Sequence, residues 1–130
     1  RGVVRSAGMA SRRNPFLGRW RIVHTTTWGS GDIHEFAPAH VTFNKDHAGE
    51  LHFIAVDGDI DYRLSERDGK PCIEFSWEGS DELDPACGRG WAVLDGDEIQ
   101  GEIFIHRGDG TWFQAKREAV KGRQPRRSFA

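Results

Sequence analysis

The densest run of reactive side chains is Glu78-Gly79-Ser80-Asp81-Glu82-Leu83-Asp84-Pro85-Ala86-Cys87-Gly88-Arg89-Gly90-Trp91. Carboxylates crowd its first half and a single arginine, Arg89, stands near its end. Crowded carboxylates raise one another's pKa, so such a segment can hold a cation or a sugar, or move protons. The same residues also describe an exposed acidic loop whose Asp and Pro shape turns, with Arg89 as its counter-ion. Both readings stay open. An EF-hand is excluded, because the ligand spacing is wrong and no terminal bidentate Glu follows.

Six histidines are the next candidates: His24, His34, His40, His47, His52 and His106. None forms a zinc-type pair, and the sequence assigns no metal site and names no cofactor. Strand parity points His24 inward, together with Tyr62. The two can orient a mainly apolar ligand, although a core histidine satisfied by its neighbours explains His24 as well. Tryptophan is frequent, with five in 130 residues. Trp28 and Trp77 are placed to line a mouth, and Trp91 and Trp112 to face outward. Aromatic walls stack flat ligands, and large rings are equally the simplest filler of a small interior. On the outer face, Asp59, Asp61, Glu74, Glu78, Glu102 and His106 alternate with the inner set. A pair of these carboxylates can act as acid and base, with Glu78, Asp81 and His106 as the catalytic candidates.

These groups sit on a repeating scaffold. From Trp20 to Arg117 the apolar residues recur at every second position, broken at short intervals by Asp-Gly or Gly-Asp pairs. That is the pattern of an antiparallel meander of about eight strands. Facing apolar sets predict five hairpins. The turn Lys45 to Gly49 sets Asn44 against Glu50, and Asp57-Gly58 sets Phe53 against Tyr62 as a two-residue type I′ turn. Arg67-Asp68-Gly69-Lys70 sets Tyr62 by Phe75, and Arg63 by Glu74. Gly96-Asp97 joins Leu94 to Ile99. Arg107 to Thr111 brings Ile105 to Phe113. Residues 27–37 and 79–88 read as irregular connections, the first with a helical turn over one end. The inner set is Trp20, Ile22, Val41, Phe43, Leu51, Phe53, Ile60, Tyr62, Ile73, Phe75, Leu94, Ile99, Ile103 and Phe113. No amphipathic helix is present to cover that face, so the sheet closes on itself into an all-β barrel, or nearly so.

The chain resembles the calycin superfamily of lipocalins, fatty-acid-binding proteins and avidins. The likeness rests on Gly18-Arg19-Trp20 opening the first strand after Pro15, Phe16 and Leu17, and on the meander itself. It implies a small-ligand barrel of lipocalin-like form. It also implies a floor tryptophan, Trp20, with a basic residue of the last strand, Arg117 or Lys116, packed across it. Haem barrels of the nitrobindin type share the architecture, but no histidine stands out as an axial ligand.

The length suits one domain. The expected division is a basic segment 1–14, a barrel 15–118 and a basic tail 119–130, both ends lacking a periodic apolar face. Net charge is -2, which argues against nucleic acid as a general partner. No stretch has the length of a membrane span, and the expected compartment is the cytoplasm. Cys72 and Cys87 lie roughly 20 Å apart along antiparallel strands, too far for a disulfide. The functional expectation is a binding module for a small apolar or planar molecule. Entry is expected at the end carrying Trp28, His34, Trp77 and the 78–84 loop, with Arg89 nearby. An enzyme using clustered carboxylates is the alternative. A protein-interaction domain, with Trp91 and Trp112 as homodimer contacts, is the third reading.

Overall fold

Period-2 apolar patterning produces eight strands in the computed structural model, which describes residues 14–34 and 37–118. They are β1 (Gly18–Thr25), β2 (His40–Phe43), β3 (Ala48–Phe53), β4 (Val56–Arg67), β5 (Lys70–Asp81), β6 (Asp84–Asp95), β7 (Glu98–Ile105) and β8 (Gly110–Arg117). A one-turn helix, α1 (Ser30–Ile33), lies between β1 and β2. Each strand pairs antiparallel with the next, and β1 pairs with β8 to close the barrel. This is the closed eight-strand antiparallel meander that the apolar periodicity predicts. The segments 1–13 and 119–130, expected as flexible ends, lie outside the described residues. Asn14 belongs with the barrel: its Nδ2 donates to the Tyr62 hydroxyl at 2.9 Å.

Two hairpins form in the expected register. Asp68 and Gly69 both take positive φ, 53° and 80°, as a type I′ turn requires. Tyr62 then meets Phe75, and Arg63 meets Glu74. Gly96, at φ 67°, turns β6 into β7 and sets Leu94 against Ile99.

Three hairpins differ in register. Asp57-Gly58 is not a turn: the chain reverses at Ile54-Ala55, pairing Phe53 with Val56 and Leu51 with Gly58. Gly58 serves the ring of Trp77 instead, since a Cβ there would stand 2.7 Å from Trp77 Cε3. The strained alternative, Ile54 at φ 56°, is held by its N–H donating to the Ile33 carbonyl at 3.0 Å. Between β2 and β3 the pair is Phe43 with Gly49, two residues from expectation, because Asp46 and His47 both adopt positive φ and tighten the turn. Between β7 and β8, Ile103 meets Thr111 and Gly101 meets Phe113. The reversal there is shortened by Ile105 N–H donating to the Asp109 carbonyl at 2.9 Å.

The stretch 79–88 is not an irregular connection. β5 and β6 run on as a hairpin to Asp81 and Asp84, reversing at Glu82-Leu83 with Glu82 at φ 61°. Its glycines are there for close approach: a Cβ on Gly79 would meet the Asp57 carbonyl at 1.9 Å.

The expected inner residues are all buried except Leu94, which is half-buried. They fill the lumen. Phe43 lies edge-on to Tyr62 at 5.3 Å and to Phe75 at 5.9 Å, with Phe16 at 6.3 Å from the other side. Trp77 is sandwiched by Gly58 and Gly88. Both ends are shut. At one, Trp20 Nε1 donates to the Phe16 carbonyl, and the Arg117 guanidinium lies 4.3 Å from the Trp20 ring. Arg117 Nη2 also donates to the Pro15 carbonyl at 3.0 Å, so the expected floor is present. At the other end Ile33 is fully buried and Trp28 packs on Phe53 at 5.5 Å. Both cysteines are free, Cys72 buried and Cys87 exposed. Among the described residues no helix is long and apolar enough to cross a membrane.

Candidate functional site

Rings occupy the lumen, and open space lies outside, on the wall formed by β4–β7. A groove of about 920 Å³ runs over it, lined by Arg63, Arg67, Arg89, Arg107, Asp61, Glu74, Ser76, Trp91, Phe104 and His106. Cross-strand register builds it. Asp61, Ser76, Arg89 and Phe104 form one row across four strands, and Arg63, Glu74, Trp91 and Glu102 the next. Alternation places all of these on the outer face.

Aromatic rings form the stacking surface. Trp91 and Trp112 meet edge to face at 5.6 Å and 85°, and Trp91 Nε1 donates to Glu102 Oε1 at 3.1 Å. The Arg67 guanidinium covers the Trp91 ring at 3.9 Å. Phe104 is 40% exposed and Trp112 50%, a large apolar display for one wall. None of Arg63, Arg67, Arg89 and Arg107 is in an ion pair among the described residues. Four guanidinium groups against Asp61 and Glu74 leave the groove net positive on a chain that is net negative. Guanidinium forks match carboxylate and phosphate oxygens, and their faces stack on aromatic planes.

The expected site residues scatter. His24 is exposed on the outer face, not in the lumen, because a β-bulge between Ile22 and His24 shifts the parity of β1. Tyr62 is buried, and its hydroxyl is taken by Asn14 and by the Asn44 carbonyl. Burial pushes the Tyr62 hydroxyl above its ordinary pKa. Trp77 lies inside the core and lines no mouth. His34 Nδ1 accepts from the Ala39 N–H at 2.9 Å, a structural bond beside α1. Trp28 closes the barrel end against Phe53. Glu78, Asp81 and His106 do come together, around an exposed depression of about 730 Å³ with Glu82 and Asp84. Arg89 and His106 share the basic groove.

Arg63, Arg67, Arg107 and Phe104 were not singled out from the sequence as site residues. Their signal was available for two of them: the parity that puts Asp59 and Asp61 outward also places Arg63 and Arg67 outward, whereas Arg107 lies in the turn after β7. A second feature, the pair His52 Nδ1 to Asp57 Oδ1 at 2.7 Å, depends on the β3–β4 register and follows only from the fold.

No protein-family model and no curated protein sequence matches this chain. Among solved structures, a Schistosoma mansoni fatty acid binding protein in complex with arachidonic acid is similar, at 13% identity and a TM-score of 0.44, with 82% of this chain and 98% of that chain covered.

Proposed function

We propose that this protein is a binding module for a planar, anionic small molecule, taken on the outer wall of β4–β7. The observation that carries the reading is the coincidence, in one groove, of four guanidinium groups without an ion pair among the described residues and the exposed Phe104 ring. A flat aromatic ligand stacks on Phe104, and its phosphate or carboxylate meets Arg63 and Arg89. The lumen, occupied by Phe43, Tyr62, Phe75 and Trp77, supports an enclosed ligand less well.

Titration with adenosine monophosphate, followed by tryptophan fluorescence, tests this. Saturable quenching is expected, weakened at least tenfold by the double substitution Arg63→Ala and Arg89→Ala. Adenosine alone and inorganic phosphate alone should bind more weakly than the nucleotide. If a long-chain fatty acid binds and the arginine substitutions leave it unaffected, the ligand enters the lumen and the reading fails. An acid–base enzyme is the second reading, favoured by the meeting of Glu78, Asp81 and His106 around one depression. The exposed Trp112 also suits a homodimer contact, which sedimentation at high concentration tests.

A further inference from the structure

We propose that the chain self-associates by docking the acidic tip of the β5–β6 hairpin of one copy into the basic groove of another. The inference rests on the charge of that groove, and its link to ligand binding rests on the small-anion reading above.

The tip presents groups that the chain does not use within itself. Asp81 and Asp84 are the last pair of the ladder, and the chain reverses at Glu82-Leu83, with Glu82 at φ 61°. All four are exposed. None of the three carboxylates is in an ion pair among the described residues. Leu83 is 96% exposed, the most open large apolar side chain among the described residues. A single exposed leucine is ordinary. One set among three carboxylates has an apolar centre and a charged rim, the layout of a protein contact.

The groove carries the opposite version of that layout. Phe104, 40% exposed, stands among Arg63, Arg67, Arg89 and Arg107, none of them in an ion pair among the described residues. Leucine against phenylalanine, with carboxylates against guanidinium forks, matches both centre and rim. One chain cannot make this match alone. Asp84 and Arg89 lie five residues apart on the same strand, β6, which holds them roughly 17 Å from each other. A second copy supplies the tip at the same concentration as the groove, whereas any other partner must bring its own acidic and apolar plug. Tip and small anion then compete for the same arginines, so association limits access of the ligand.

Sedimentation equilibrium of the full chain tests the proposal. Mass should rise with concentration, and added salt should oppose the rise because exposed charges are screened. Asp81→Lys with Asp84→Lys, and separately Arg89→Glu with Arg107→Glu, should each weaken association at least tenfold. All four positions are exposed. Mixed in equal amounts, the two variants should associate again, because reversed tip meets reversed groove and native tip meets native groove. That recovery also shows that both variants fold. Leu83→Ser should weaken association, and Trp112→Ser should leave it unchanged, which separates this surface from the Trp112 contact. A wild-type chain that stays monomeric at high concentration overturns the proposal. So does association that neither charge reversal weakens, or a mixture of folded variants that does not recover. Should a reversal fail to fold, Leu83→Ser decides, and unchanged association in that variant overturns the proposal. Adenosine monophosphate should dissociate the wild-type assembly and bind the Asp81→Lys, Asp84→Lys variant, whose groove is intact. If it does not bind that variant, the small-anion reading fails and the charge-reversed mixture still decides docking. If it binds the groove and leaves the assembly whole, docking in the groove is wrong.

Discussion

The two faces of β4–β6 follow different rules. Inward, Trp77 is faced by Gly58 and Gly88, and Phe75 by Gly90, so each of these two rings lies where a side chain is absent. Added atoms there meet backbone or ring: a Cβ on Gly90 would lie 2.4 Å from Phe75 Cζ. Outward, the same strands carry Arg63, Glu74, Arg89 and Trp91, where charge and stacking decide and volume does not. A barrel of eight strands is just wide enough to be filled by side chains. Once the rings take the lumen, recognition moves to the wall.

Gly88→Val is the strongest way to break this contrast. Its Cβ would meet the Phe104 carbonyl at 1.8 Å and Trp77 Nε1 at 2.7 Å. Overpacking of that severity should cost about 3 kcal/mol in urea unfolding. Arg63→Ala on the opposite face should cost no more than about 0.5 kcal/mol. Equal costs would mean the two faces do not differ as described.

Arg117→Met tests where the inner rule ends. It keeps an apolar stem over Trp20 but loses the cation–π contact and the bond to the Pro15 carbonyl. A loss of about 1 kcal/mol is expected, with a change in near-ultraviolet dichroism from Trp20. No change in either would make the floor contact incidental.

The smallest effect concerns His40, an outer-face group that is nonetheless half-buried. Burial lowers its folded pKa, so the unfolded chain binds the proton more readily. Stability from this group is present above its unfolded pKa of about 6.5 and is lost as pH falls through that value. His40→Gln should flatten the pH dependence of unfolding between about pH 7.5 and pH 5.5. An unchanged slope in the variant would show that the outer wall leaves His40 fully solvated.

Much of the inner face was legible in the sequence, for a reason that also explains the errors. Side chains alternate with period 2, so a register slip of an even number of residues keeps every residue on its face. Phe53 and Tyr62 are both inside although they are not partners, and so are Ile105 and Phe113. Apolar matching fixes parity and leaves even slips degenerate. Turn geometry resolves them, and the positive φ at the β-branched Ile54 is not a preference of that residue type. The 78–88 hairpin was hidden for a related reason. Beyond Trp77 its same-face positions are Gly79, Asp81, Asp84, Ala86 and Gly88, so no apolar alternation shows. His24 was misplaced by a bulge that no residue type announces. The basic groove was half legible: the row of Arg89 with Ser76 and Phe104 needs the β5–β6 pairing, which that hairpin supplies.

The ladder joining β1 to β8 carries a consequence for how the chain is made. Trp20 pairs with Arg117, so the barrel shuts only by closing a loop of roughly a hundred residues, the slowest kind of contact to form. Until β8 has left the ribosome, β1 keeps one unpaired edge, open to pairing with another nascent strand. Synthesis therefore includes an interval in which the Trp20 ring lacks its Arg117 cover, and a chaperone that recognises exposed aromatic strands has its best opportunity then. Refolding from urea should accordingly be limited by the joining of β1 to β8, with the β4–β5 hairpin and its local type I′ turn already formed.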